Sequence, residues 1–194
     1  MFYRPEEGHG LPHNPFNALI TPRPIGWIST RGSKGDNLAP YSFFNGIAYT
    51  PPQVMVASTG RKDSLRNIEE TGVFAVNIVE YAAREAMNLT SGSYPQGTDE
   101  FTLADVDRTE CETIPCPRVS GAPATLECRV NQIIRLLGED NHLILGEVIG
   151  IHLRDDCVVD GRFDVTRFQP LARGGYRDYS VVTEVFEMLR PGQE

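Results

Sequence analysis

The chain has 194 residues, 40% hydrophobic and 23% charged, a composition that suits a single globular domain spanning 1–194 with a sizeable core. With 18 Lys and Arg against 26 Asp and Glu the net charge is −8, which argues against nucleic acid or an anionic membrane surface as the main partner. No segment approaches the roughly 20 apolar residues that span a bilayer. The N-terminal "MFYRPEEGHGLPHNPF" places acids, prolines and histidines where a signal peptide has its apolar stretch, so a cytoplasmic location is expected.

In chain order, "PIGWIST" (24–30) predicts a strand and "RGSKGDN" (31–37) is rich in turn formers. "PQVMVAST" (52–59) predicts a buried strand that stops at Gly60. The following "DSLRNIEETG" (63–72) predicts a short helix with Asp63 as N-cap, Leu65 and Ile68 on one face and Gly72 as its stop. "VFAVNIV" (73–79) is strand-like and "YAAREAMNL" (81–89) helical in propensity. A loop-rich middle runs from Thr90 to about Pro123. Two long strand-like runs, "ATLECRVNQIIRLL" (124–137) and "HLILGEVIGIHL" (142–153), flank "GEDN" and predict a hairpin. "VVTEVFEML" (181–189) reads as a final strand or a short helix. Many strands with few, short helices predict a mainly β fold (α+β in some schemes), a barrel or sandwich with helical additions. Regular strand–helix alternation and a G-x-G-x-x-G fingerprint are both missing, which disfavours a doubly wound sheet.

Four cysteines (Cys111, Cys116, Cys128, Cys157) read as free thiols; Cys111 and Cys116 do not have a zinc spacing, and no metal site is expected. Ser29 and Ser42 have no G-x-S-x-G context, and the adjacent Asp99 and Glu100 make a poor glycosidase pair. His142 could face a pocket or cap the hairpin, and Trp27 reads as core.

The stretch "ASTGRKDS" (57–64) carries the most chemistry. A helix N-terminus attracts phosphate through its free N–H groups and partial positive charge. Ser58, Thr59 and Ser64 can donate from hydroxyls, Gly60 allows close backbone approach, Arg61 can grip oxygens in a fork and Lys62 adds a compact charge. The alternative is a solvated loop whose cations pair with Asp63, Glu69 or Glu70. "NLAPYSFFNG" (37–46) could lay backbone amides and an aromatic edge along a flat heterocycle, or be a strand burying Phe43 and Phe44. "ARGGYRDY" (172–179) could expose backbone beside two arginines and two tyrosines, or be a surface turn.

The segments "TPRPIGWIST", "NLAPYSFFNG", "PPQVMVASTGRKDSLRNIEETGVFAVNIV", "AMNLTS", "DEF", "HLILGEV" and "ARGGY", in this order, resemble the flavin reductase-like family, over about residues 15 to 180. The resemblance implies the FMN-binding split β-barrel with short flanking helices. It also implies FMN as cofactor, NADH or NADPH as hydride donor, and a homodimer serving a monooxygenase or other redox partner. A flavoredoxin-like electron carrier and a ligand-binding split-barrel protein are the alternatives. By the same resemblance Ser58, Arg61, Lys62 and Ser64 surround the FMN phosphate. Tyr41, Ser42, Phe43 and Asn45 line the isoalloxazine or ribityl part, and Thr30, Asn37, Arg173 and Tyr176 are further cofactor contacts. No dedicated acid–base catalyst is expected, because the flavin carries the hard chemistry.

Overall fold

The computed structural model describes residues 1–192. The first half of the chain forms α1 (Phe16–Leu19), β1 (Arg23–Pro24), β2 (Gly26–Gly32), β3 (Gly35–Tyr41), β4 (Phe44–Tyr49), β5 (Pro52–Thr59), α2 (Asp63–Thr71), β6 (Val73–Ile78) and α3 (Arg84–Leu89). The second half forms α4 (Glu100–Leu103), β7 (Arg108–Glu110), β8 (Pro117–Val119), β9 (Ala124–Arg135), β10 (Asn141–Leu153), β11 (Val158–Val159), β12 (Arg162–Phe163), β13 (Leu171–Arg173) and β14 (Tyr179–Val181).

Seven of these strands make one antiparallel sheet in the order β3-β2-β6-β9-β10-β5-β4. Its two edges, β3 and β4, are joined only by Ser42 and Phe43. A sheet whose first and last strands are two residues apart in the chain has to roll round on itself, yet no ladder joins β3 to β4. The result is a barrel split along one seam. The predicted hairpin is β9–β10, and two register shifts along it, at Leu145/Gly146 and Val148/Gly150, supply curvature. At Gly146 a side chain has no room, since an added Cβ would come within 2.6 Å of the Phe74 ring.

Inside the barrel Ile28, Phe44, Val54, Val56, Phe74, Val76 and Ile144 pack with Leu65 and Ile68 of α2, which plugs one end. A second cluster, Trp27, Leu38, Met87 and Phe101 among others, lies where α3 and α4 cover the outer face of β2 and β3. Both faces of β2 are therefore covered, which is why "GWIST" is buried without alternation. The longer β5 alternates, with Val54, Val56 and Ser58 inward. Gly72 ends α2 in the left-handed region (φ +71°), its N–H on Ile68 O at 2.8 Å.

Two local expectations change. Lys62, not Asp63, is the residue preceding α2, and no side chain caps the helix. The Asp63 carboxylate is drawn instead to Arg66 Nη1 (3.0 Å) and to the Gly97 N–H (2.9 Å). At the C-terminal end, β14 stops at Val181 and 182–190 adopts neither helix nor strand. Val185, Phe186, Met188 and Leu189 find no apolar face there and stay exposed. Among the described residues no helix is long and apolar enough to cross a membrane.

Candidate functional site

A cleft of about 300 Å³ opens between β3, the start of α2 and the loop after α3. Asn37 and Tyr41 of β3, Arg61, Lys62 and Ser64 at the mouth of α2, and Thr90 and Ser91 beyond α3 all line it. The geometry of α2 explains its character. Because no side chain caps it, the N–H groups of its first turn have no side-chain acceptor and its positive end faces the cleft. Arg61 pairs with Glu69, one of the alternative pairings the sequence allowed, and Arg66 of α2 pairs with Asp63. Lys62 is exposed and makes no ion pair among the described residues.

Below these cations the polar groups are buried and partly unpaired. The Asn37 side-chain amide donates to Ser64 Oγ at 2.9 Å, and both residues are buried. Tyr41 is buried too, and its hydroxyl, beside the Ser64 and Ser58 hydroxyls, makes no well-formed hydrogen bond among the described residues. Burial pushes the Tyr41 phenol up, so it stays protonated and can donate. Glu100 closes the far side; its Oε2 accepts from Leu38 N–H at 3.1 Å, and burial pushes its pKa up. An electropositive mouth over buried hydroxyls, one of them without a well-formed hydrogen bond, is chemistry that suits a phosphate ester.

The remaining expected residues divide into supports and a second group. Thr30 is fully buried and accepts from Asn67 Nδ2 at 3.1 Å, so it anchors the underside of α2. Ser58 is buried at the end of β5, opposite His142, and donates to Gly60 O at 3.1 Å. His142 is itself buried; its Nδ1 makes no hydrogen bond and lies 3.7 Å from Asp140 Oδ1. Ser42 is half-buried in the seam, and Asn45 is exposed with its Oδ1 on the Gly46 N–H.

Phe44 is core whereas Phe43 is 40% exposed, so the two aromatics of "YSFF" part company. The Arg23 guanidinium sits 5.8 Å from the Phe43 ring centroid and donates to Gly174 O at 2.6 Å, which brings the "YSFF" and "ARGGY" segments together. Arg173 bonds the Tyr179 hydroxyl and Tyr176 O and lines a separate cleft with Tyr81, Arg84 and Arg177. Tyr176 is half-exposed and meets the His13 ring. The paired glycines are not an exposed backbone surface: both are buried, and a Cβ on Gly175 would collide with Ala18 of α1 at 2.3 Å.

Sequence reasoning assigned no cofactor contact in this cleft beyond α3. Thr90 accepts from Trp27 Nε1 at 2.9 Å and donates to Met87 O, and the Tyr94 hydroxyl donates to Leu89 O at 2.7 Å. The available signal was the hydroxyl-rich run directly after the "AMNL" helix end.

Comparison with known proteins agrees with this architecture. Nitrilotriacetate monooxygenase component B from Bacillus cereus superposes with a TM-score of 0.89 at 30% identity, over 97% of this chain and 98% of that one. The 2-nitrobenzoate 2-nitroreductase NbaA of Pseudomonas fluorescens gives a TM-score of 0.83 at 31% identity, over 91% and 89% of the two chains. A split barrel domain from Shewanella frigidimarina, 20% identical, matches in fold with a TM-score of 0.83 over 90% of this chain and 89% of that one. The model of the flavin reductase like domain matches residues 18–171, and the chain belongs to that family.

Proposed function

We propose that the protein binds FMN with its phosphate at the mouth of α2 and acts as an NAD(P)H-dependent flavin reductase that hands electrons to a partner such as a monooxygenase. Family membership gives it a flavin-linked oxidoreductase role. The observation that carries the finer reading is the uncapped N-terminus of α2, with Lys62 free of ion pairs among the described residues and the buried Tyr41 hydroxyl, which has no well-formed hydrogen bond, in the same cleft. These groups fit a phosphate ester: helix amides, hydroxyls and a cation without an ion pair line one cleft.

Bound FMN would supply the redox chemistry, as hydride acceptor and electron donor. The chain's own work is placement. Lys62 and the α2 amides hold the phosphate, Ser64 is oriented by Asn37, and Tyr41 keeps its proton to donate. Phe43 and Arg23, joined to the loop of Gly174, offer an aromatic and cationic edge beyond the seam. We place the functional unit as a homodimer in the cytoplasm, with Arg173 and Tyr176 as outer cofactor contacts.

The test is oxidation of NADH and of NADPH by the purified protein with FMN supplied, followed anaerobically by the visible spectrum. Flavin bleaching by either nicotinamide at a rate well above the protein-free control is the expected result. Tight FMN binding without nicotinamide oxidation would instead make the protein an electron carrier of the flavoredoxin kind.

A further inference from the structure

Strands β7 and β8 pair Arg108 with Val119, Thr109 with Arg118 and Glu110 with Pro117. One more step of that register sets Cys111 opposite Cys116, and the Cys111 N–H donates to Cys116 O at 3.0 Å. Cross-strand partners have Cα atoms about 4.5–5.5 Å apart, inside the range of about 4.4–6.8 Å that a disulfide bridges. The two side chains share one small cluster with Ala75 and Ile114, and the Cys116 thiol donates to Ser29 O at 3.2 Å. The loop between them is pinned from outside. The Glu127 carboxylate, fully buried, accepts from the Glu112 N–H (2.8 Å), the Thr113 N–H (2.6 Å) and the Thr113 hydroxyl.

We propose that Cys111 and Cys116 form a reversible dithiol–disulfide couple that hydrogen peroxide oxidises. Cys111 is half-buried and Cys116 has no exposed surface, so peroxide meets Cys111 first. The neighbouring Cys111 side chain, and then burial, push the Cys116 thiol well above its ordinary range, consistent with that order. The Cys111 thiolate attacks one peroxide oxygen: an S–O bond forms, the O–O bond breaks, and the departing hydroxide takes up a proton as water. The Cys116 sulfur then gives up its proton and displaces hydroxide from the Cys111 sulfur, forming S–S, breaking S–O and releasing a second water. Two thiols lose two electrons and two hydrogens in all, and peroxide is reduced to two waters.

The test uses the full-length reduced protein, treated with hydrogen peroxide, quenched, denatured, alkylated with N-ethylmaleimide and digested with trypsin. Cleavage after Arg108 and Arg118 yields peptide 109–118, which holds both cysteines. After peroxide this peptide is expected two hydrogens lighter and free of alkyl groups, while Cys128 and Cys157 are alkylated. Dithiothreitol before alkylation should return it doubly alkylated. In Cys116→Ser, peroxide should leave Cys111 as a sulfenic acid that dimedone captures. A doubly alkylated peptide after peroxide, Cys111 joined to Cys128, or Cys111 over-oxidised beside a free Cys116 would each overturn the proposal.

Discussion

Asn37 on the edge strand β3 donates its side-chain amide to the Ser64 hydroxyl, 2.9 Å away on the first turn of α2, and both groups are buried. Since Ser64 Oγ is occupied as an acceptor, its own proton is left for a ligand in the cleft. Ser64→Ala should therefore weaken FMN binding by about tenfold, since a hydrogen bond to a charged group contributes roughly 1.5–3 kcal/mol. Titration of flavin fluorescence measures it, and unchanged affinity would remove Ser64 from the site.

The same cradle predicts a preference among flavins. FMN should bind at least about tenfold more tightly than riboflavin, because only the phosphate can use the α2 amides, Lys62 and Ser64. Calorimetric titration of both ligands decides this; equal affinities would rule out a phosphate site at α2.

Arg61 and Lys62 are adjacent but differ in partners. Arg61 is held by Glu69, whereas Lys62 has no ion pair among the described residues. The double substitution Arg61→Ala with Lys62→Ala should lower FMN affinity, and Lys62→Ala alone should account for most of the loss. Both side chains are exposed, so urea unfolding should shift by no more than about 0.5 kcal/mol. A larger effect from Arg61→Ala than from Lys62→Ala would mean that Arg61 leaves Glu69 to bind the ligand.

The strands and α2 were legible in the sequence because Leu65 and Ile68 carry a helical period and Gly72 supplies a left-handed stop. The rolled sheet was readable only by resemblance, since pairing between Val73 and Arg129 or Gly26 and Tyr41 leaves no local periodicity. At the candidate site, the charge and hydroxyl density of "TGRKDS" was legible in the sequence, and the structure sets Arg61, Lys62 and Ser64 on one cleft. Asp63 misled, because an acid before a helix looks like a cap until Arg66 and the distant Gly97 compete for it. Thr30 was expected as a contact by resemblance, and the structure sets it under α2, where its hydroxyl accepts from Asn67.

Glu127 gives a pH prediction. Burial alone would push its carboxyl up, but hydrogen bonds from His152, Thr113 and the Glu112 and Thr113 amides outweigh burial and bring it down to about 2. A carboxyl depressed on folding contributes stability that is complete above its unfolded value of about 4.3 and is lost as pH falls toward the folded one. Unfolding free energy should thus drop between about pH 4.5 and pH 2. Glu127→Gln should be less stable at pH 7 by about 1–3 kcal/mol, having lost a charged acceptor, and should show a flatter acid limb. An identical acid limb in the variant would assign the transition to other carboxyls.

The last prediction concerns association. On the edge strand β4, every residue after Phe44 is exposed, including Ile47 (46%) and Tyr49 (93%). Phe16 (57%) and Leu19 (72%) of α1 are exposed as well, and so is Phe43 in the seam. An open strand edge and exposed large apolar side chains are features that a second subunit would cover. If FMN lies partly under that second subunit, its binding is linked to dimerisation, and ligand must favour the dimer by mass action. Sedimentation velocity across a dilution series should show a homodimer whose dissociation moves to lower protein concentration when FMN is added. Tyr49→Asp, placed on the exposed edge away from α2, should shift the protein toward monomer and weaken FMN binding only to the extent that it dissociates. A protein that stays monomeric at every concentration and still binds FMN at full affinity would place the whole flavin site within one chain.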